Sequence, residues 1–206
     1  MRNFLSQGVF LIVIQVVICL CVFSLFLAIY IDFVLFSRKE KVQKEKKSVV
    51  ETGTMTLFFL LFYGIVLSKV GIIPVGIGFI KELLMIIGTV MIVAGCIINI
   101  SGRFNLGRNW ANQIKIYHEH TLIQTGMYKF VRHPLYASII LMFYGGCMVY
   151  RNILSIVAVS VVFVPFMAYR ARQEEKMLLQ RFPEYHNYKQ NTGMFFPKIL
   201  KRRERV

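Results

Sequence analysis

Two short stretches hold most of the side chains suited to chemistry. Residues 120–136 read His-Thr-Leu-Ile-Gln-Thr-Gly-Met-Tyr-Lys-Phe-Val-Arg-His-Pro-Leu-Tyr, and residues 170–175 read Arg-Ala-Arg-Gln-Glu-Glu. The first is basic, broken by Gly126 and dense in imidazole and aromatic rings. In the second, Arg170 and Glu174 stand four apart and share one face of a helix. As an exposed ion pair they would contribute only about 0.3–0.5 kcal/mol. They follow directly on an apolar run, where an inserted charge costs about 2.5–3.5 kcal/mol. Spacing alone leaves ordinary interfacial charge open, with Arg172, Glu175 and Lys176 on the same solvated face.

Other chemistries find less support. His133, next to Arg132 and Pro134, reads by itself as a structural hydrogen bonder rather than a catalyst. His118 and His120 bracket Glu119, but histidines two apart do not share a helix face and no Cys is near. No metal site is assigned. No strand-linked G-x-G-x-x-G, P-loop or G-x-S-x-G is present, so the usual soluble nucleotide sites and a serine nucleophile have no basis. Cys19, Cys21, Cys96 and Cys147 all sit in apolar runs without a C-x-x-C pair, and read as small buried hydrophobes.

The frame that must position these groups is a membrane one. Of 206 residues, 56% are hydrophobic, above the 45–50% or so of ordinary soluble domains. They cluster into runs. The expected fold is an all-α integral membrane protein of about five transmembrane helices, with a cytoplasmic polar segment and a C-terminal helix. Runs long enough to cross the roughly 30 Å hydrocarbon core, or nearly so, are expected at 8–36, 53–70, 79–100, 135–149 and 153–169. The first is too long for a signal-peptide core and lacks a cleavage site, so it reads as a retained span. Gly88 and Gly95 are small positions where another helix could approach. Pro134 suits a first helical turn, and Pro165 predicts a kink. Residues 37–47 read as a solvated basic loop, and residues 103–132 as short helical or irregular pieces at the membrane surface.

The formal charge is +15. Basic residues flank apolar runs instead of lining a soluble face, which argues against nucleic acid and for membrane topology. Residues 37–50 hold 6 Lys or Arg, residues 102–133 hold 5 and residues 170–206 hold 10. The positive-inside rule therefore predicts an outside N-terminus and a cytoplasmic C-terminus. Both chemical stretches then fall on the cytoplasmic side.

The run Leu122-Ile-x-x-Gly126-x-Tyr128-x-x-x-Arg132-His133-Pro134-x-Tyr136, then Arg170-x-x-x-Glu174-Glu175, then Phe182-Pro-Glu-Tyr185-x-x-Tyr188 and a last Phe-Pro, resembles the isoprenylcysteine carboxyl methyltransferase family. The likeness covers about residues 104–197. Small microbial members are similar in length and number of spans. The resemblance implies S-adenosyl-L-methionine as methyl donor, with Gln113, His120, Thr121, Leu122, Ile123, Tyr128, His133, Pro134, Leu135 and Tyr136 at the cofactor. It implies that Glu174 is the carboxylate at the cofactor and that Arg170 faces the acceptor carboxylate. Residues 1–101 would be a frame of three spans on the lipid-acceptor side, and residues 102–206 the methyltransferase core. Phe182-Pro183-Glu184 departs from the family's usual Phe-Gly and paired acidic positions, which bears on the tail.

The implied acceptor is a prenylated or other lipid-like carboxylate. Such a group is already ionised at neutral pH and needs no general base. An amine acceptor, as in phospholipid N-methylation, would require Glu174 to take a proton. Also open are O-methylation of an isoprenoid, a sterol-type reductase with a similar C-terminal architecture, and a non-catalytic membrane protein.

Overall fold

A computed structural model describes residues 2–36, 42–45, 49–74, 78–107, 115–117 and 121–198. Its helical elements are α1 (Arg2–Phe36), α2 (Val49–Ser68), α3 (Gly78–Leu106), α4 (Pro134–Tyr150), α5 (Ile153–Ala158), α6 (Val164–Arg181) and α7 (Tyr185–Asn191). A π-helical turn at Val159–Phe163 joins α5 to α6, so Ile153–Arg181 runs as one long helix. Gly8–Ile31, Gly78–Leu106 and Ile153–Arg181 are long and apolar enough to cross a membrane, and α2 and α4 contribute shorter apolar segments. The chain is an integral membrane protein.

The packing of α3 on α4 rests on glycine. A Cβ at Gly88 would lie 2.5 Å from the Gly145 carbonyl oxygen, and one at Gly145 would lie 2.6 Å from the Gly88 carbonyl oxygen. Further along, Gly95 meets Ser138 and Met142, and Gly102 meets Leu135. As the α3 numbers rise the α4 numbers fall, so the two helices are antiparallel. Close backbone approach of this kind is how membrane helices gain packing where lipid is as apolar as leucine. The expectation for Gly88 and Gly95 holds.

Phe58 of α2 fills the space between α4 and the last span. It stacks on Phe163 at 4.6 Å and meets Phe143 edge-on at 5.2 Å. Cys147, Val159, Phe163 and Met167 complete this core and are fully buried. Ile14 of α1 packs with Met85, Ile92 and Val149 in a second cluster. The remaining apolar faces, with Phe23 and Phe26 among the most open, suit lipid.

The irregularity expected at Pro165 takes the form of the π turn just before it. Proline lacks an N–H, and its ring clashes with the carbonyl four residues back. A wider turn through Val161 relieves both. The rest of the long helix stays continuous, so Arg170, Glu174 and Glu175 are carried on a rigid extension of a span.

The turns sort to two ends. At one end Ile72 pairs with Asn152, whose side chain donates to the Val70 carbonyl at 2.8 Å and accepts from the Ser155 N–H at 2.9 Å. At the other end, Val131 pairs with Gly193. A two-stranded antiparallel ribbon also forms between β1 (Val42–Glu45) and β2 (Lys115–Tyr117). It pairs residues of the 37–47 and 103–132 segments, which the sequence alone does not connect.

Candidate active site at the end of the last span

Pro134 starts α4 and His133 is its N-cap. Proline at the first turn leaves no N–H unsatisfied. The residue before it is pushed out of helical geometry, as His133 shows with φ −126° and ψ 65°. This turns the imidazole toward α6. Its Nδ1 lies 3.5 Å from Glu174 Oε2 and its Nε2 lies 3.3 Å from Glu175 Oε1.

Only the imidazolium can donate from both nitrogens at once. Burial alone would strip its proton, but hydrogen bonds to Glu174 and Glu175 and their charges outweigh that and hold its pKa above 6.5. The ring lies 5.5 Å from that of Tyr136 at an interplanar angle of 8°, and Phe195 meets it edge-on at 6.4 Å.

Arg170 is one turn before Glu174 on α6 and is buried at 6% exposure. Its guanidinium carbon lies 5.8 Å from the Tyr136 ring centroid. The Tyr136 side chain lies against both Glu174 and Arg170. His133, Tyr136, Arg170 and Glu174 therefore form one cluster, as the sequence reading requires. Glu174 keeps 38% of its side chain exposed although His133 anchors it. It is an accessible anion at the mouth of the cluster.

Tyr128 is buried in a 3-10 turn, Gly126–Lys129. Its phenol pKa is raised, first by burial and then by the charge of Glu174. Gly126 adopts φ +59°, and the Met127 N–H donates to Asn105 Oδ1 at 2.9 Å. The end of α3 thus fixes the turn that presents Tyr128. Thr121, Leu122 and Ile123 lead into this turn without regular structure, with Thr121 exposed and the other two half-buried. Pro134 is fully buried, and Leu135 packs against Gly102. Gln113 and His120 lie outside the described residues, as do His118 and Glu119.

One expectation is corrected. Glu175 is not on a solvated face with Arg172 and Lys176: those two are exposed, whereas Glu175 is 1% exposed. Arg132 Nε donates to its Oε1 at 2.8 Å, and Lys189 Nζ lies 2.8 Å from Oε2. These cations and His133 offset the desolvation that otherwise excludes a carboxylate from an interior. Helical periodicity carries no trace of partners that arrive from residues 132 and 189. Asn99 was missed for the same reason. It donates to Ser138 Oγ at 2.7 Å and accepts from Arg103 Nε at 2.8 Å, binding α3 to the turn beneath His133.

Fold and site together define a multi-spanning helical membrane protein with a charged cluster at one end of its last two spans. The sequence model of the isoprenylcysteine carboxyl methyltransferase family matches residues 85–180 of this chain. A probable protein-S-isoprenylcysteine O-methyltransferase of Oryza sativa subsp. indica is 34% identical over 116 residues, covering 55% of this chain and 61% of that protein. The protein-S-isoprenylcysteine O-methyltransferase of Saccharomyces cerevisiae is 32% identical over 117 residues, covering 52% and 49%. The fold is shared with a solved structure described as the eukaryotic intramembrane Ras methyltransferase ICMT. The TM-score is 0.59 at 24% identity, over 71% of this chain and 53% of that one. The match spans less than two thirds of each of these relatives.

Proposed function

We propose that this chain is an S-adenosyl-L-methionine-dependent membrane methyltransferase that O-methylates the carboxylate of an isoprenylcysteine or a similar lipid-like acceptor. The observation that carries the reading is the arrangement of Arg170 and Glu174 one helical turn apart, one buried and one open, beside the stacked rings of Tyr136 and His133.

The donor fits this cluster in charge. An open carboxylate, Glu174, is what a cationic sulfonium compound requires, and His133 and Tyr136 hold that carboxylate in one orientation. When bound, S-adenosyl-L-methionine supplies a methyl that an acceptor oxygen takes by displacement, the carbon–sulfur electron pair returning to sulfur. The acceptor carboxylate is ionised at neutral pH, so no side chain has to remove a proton. Arg170 has the geometry to hold it through two parallel hydrogen bonds. Positioning of this kind supplies much of a bimolecular barrier reduction. Thr121, Leu122, Ile123, Tyr128, His133, Pro134, Leu135 and Tyr136, with Gln113 and His120, are proposed to line the donor side. Residues 1–101 are proposed to border the acceptor, which reaches Arg170 from the bilayer. The basic segments and this site are proposed to face the cytoplasm.

The test is methyl transfer in membranes that contain the protein. Labelled S-adenosyl-L-methionine is offered with a farnesylated cysteine analogue. Base-labile label on the analogue, lost in Glu174→Ala and in Arg170→Ala, supports the reading. Base-stable label in endogenous phospholipid points to N-methylation. No transfer and no donor binding overturns the enzyme reading.

A further inference from the structure

Among the described residues Glu175 is the one buried carboxylate, and the reaction above makes no direct use of it. It joins three separate parts of the chain. Its own helix is α6. Through Oε1 it accepts from Arg132 Nε and faces His133 Nε2, at the entry to α4. Through Oε2 it pairs with Lys189 of α7.

Arg132 extends the connection. Its Nη1 donates to the Lys189 carbonyl at 3.1 Å and to the Thr192 carbonyl. The Arg132 N–H donates to the Gly193 carbonyl at 2.8 Å, and the His133 N–H to the Met194 carbonyl at 3.1 Å. The next residue, Phe195, meets the imidazole edge-on at 6.4 Å. Residues 192–195 form a strap across the cluster, tied to Arg132 and His133, whose side chains both engage Glu175.

We infer that Glu175 is a positioning residue, which locks the C-terminal strap over the site and sets the imidazole that orients Glu174. The steps are physical. A buried carboxylate is tolerated only with its cations in place, so Arg132, His133 and Lys189 are drawn to it together. With Nε2 engaged by Glu175, the His133 ring has one direction left for Nδ1, toward Glu174. Glutamine at this position would preserve shape but turn an amide N–H toward a cation, and the ties would loosen. The inference rests on the donor-site reading for its effect on binding, whereas the strap itself is independent of that reading.

The experiment uses the full chain in lipid nanodiscs. Backbone hydrogen exchange of residues 131–133 is measured without donor, and donor affinity and acceptor KM are measured separately. Glu175→Gln is expected to raise exchange at Arg132 and His133 and to weaken S-adenosyl-L-methionine binding about tenfold, the scale of one lost charge-assisted hydrogen bond. Acceptor KM is expected to stay within about twofold, because Arg170 is untouched. Lys189→Met, on a half-exposed side chain, is expected to raise the same exchange without disturbing the spans, and it decides the matter if Glu175→Gln does not fold. Unchanged exchange at 131–133 overturns the inference, as does a Glu175→Gln in which donor affinity and acceptor KM worsen in parallel. Wild-type protein that binds no donor while both variants still loosen the strap would defeat the proposed reaction and leave the strap standing.

Discussion

Glu174 and Glu175, neighbours in the chain, grip the two nitrogens of one imidazole at 3.5 and 3.3 Å. Adjacent residues on a helix point about 100° apart, so both can reach a ring only if it lies between their directions. His133 does, because Pro134 denies it helical geometry. The same pair separates two tasks: Glu174 stays open toward the site, and Glu175 is closed among cations.

This arrangement makes stability depend on pH in a defined sense. The His133 pKa is raised above 6.5 in the folded protein. A raised pKa means that the proton is bound more tightly in the native state, so the stabilisation is complete below 6.5 and is lost as pH rises through the raised value. His133→Gln removes that titration. The melting-temperature gap between wild type and His133→Gln in detergent is expected to be widest below 6.5 and to narrow as pH rises. A gap that widens with pH would mean that His133 is neutral in the fold.

Loss of charge at the open carboxylate should act on rate more than on folding. Glu174 is partly exposed and shares only His133 with Glu175, which keeps its other cations, so Glu174→Gln is expected to lower the melting temperature only modestly. Methyl transfer is expected to fall about 10²–10³-fold, the usual scale for removing a preorganised charge partner. Arg170→Lys keeps the charge but loses the planar fork, and is expected to raise acceptor KM about tenfold or more. Initial rates against acceptor at saturating donor separate the two. Arg170→Lys with wild-type KM would move the acceptor carboxylate elsewhere.

Much of this cluster is legible in the sequence. His133-Pro134 announces a helix start, and Arg170 with Glu174 announces one helical face, because local rules govern both. The five apolar runs were equally plain, since membrane length and composition are one-dimensional signals. What escaped were relationships between distant segments. Glu175 looked solvated because its cations come from positions 132 and 189. Asn99 gives no signal in the sequence, because its hydrogen bonds go to Ser138 and Leu135 of another helix. The β1–β2 ribbon pairs residues 42–45 with 115–117, and strand pairing across such a separation leaves no periodic trace in so few residues. The end of α3 was also placed too early, at 100, because Arg103 and Asn105 look like loop residues. They continue the helix to Leu106 and serve the site from there.

The α3–α4 contact gives a stability prediction remote from chemistry. Gly88 and Gly145 present carbonyl oxygens to each other at distances that exclude even a Cβ. Both are backbone atoms of rigid helices and cannot swing aside. Gly145→Val is expected to destabilise the protein by about 1–3 kcal/mol or more, the usual cost of overpacking, and to lower the melting temperature in detergent. Gly64→Val, where a side chain would meet open space, is the control and is expected to shift it little. Equal effects at both positions would mean that α3 and α4 do not approach as described.

The ends of the bundle give the last prediction, which bears on orientation. Residues 129–131 and 189–193 lie together through the Val131–Gly193 pairing, whereas Arg151 and Asn152 lie with Ile72 at the opposite end. Charged maleimides that do not cross membranes can distinguish the ends. Native Cys96 and Cys147 are buried and Cys19 faces outward from an apolar span. A charged reagent does not enter the hydrocarbon region around these helices, so background labelling is expected to be low. Lys129→Cys and Lys198→Cys are expected to label only after the cytoplasmic face is opened, and Arg151→Cys in intact cells. The expectation follows from the clustering of basic residues beside the first two positions, since Lys and Arg near span ends are retained in the cytoplasm. Labelling of Lys129→Cys and Arg151→Cys from the same side would contradict the bundle itself. Labelling with the two sides exchanged would keep the bundle, reverse its orientation and move the proposed donor site out of reach of cytoplasmic S-adenosyl-L-methionine.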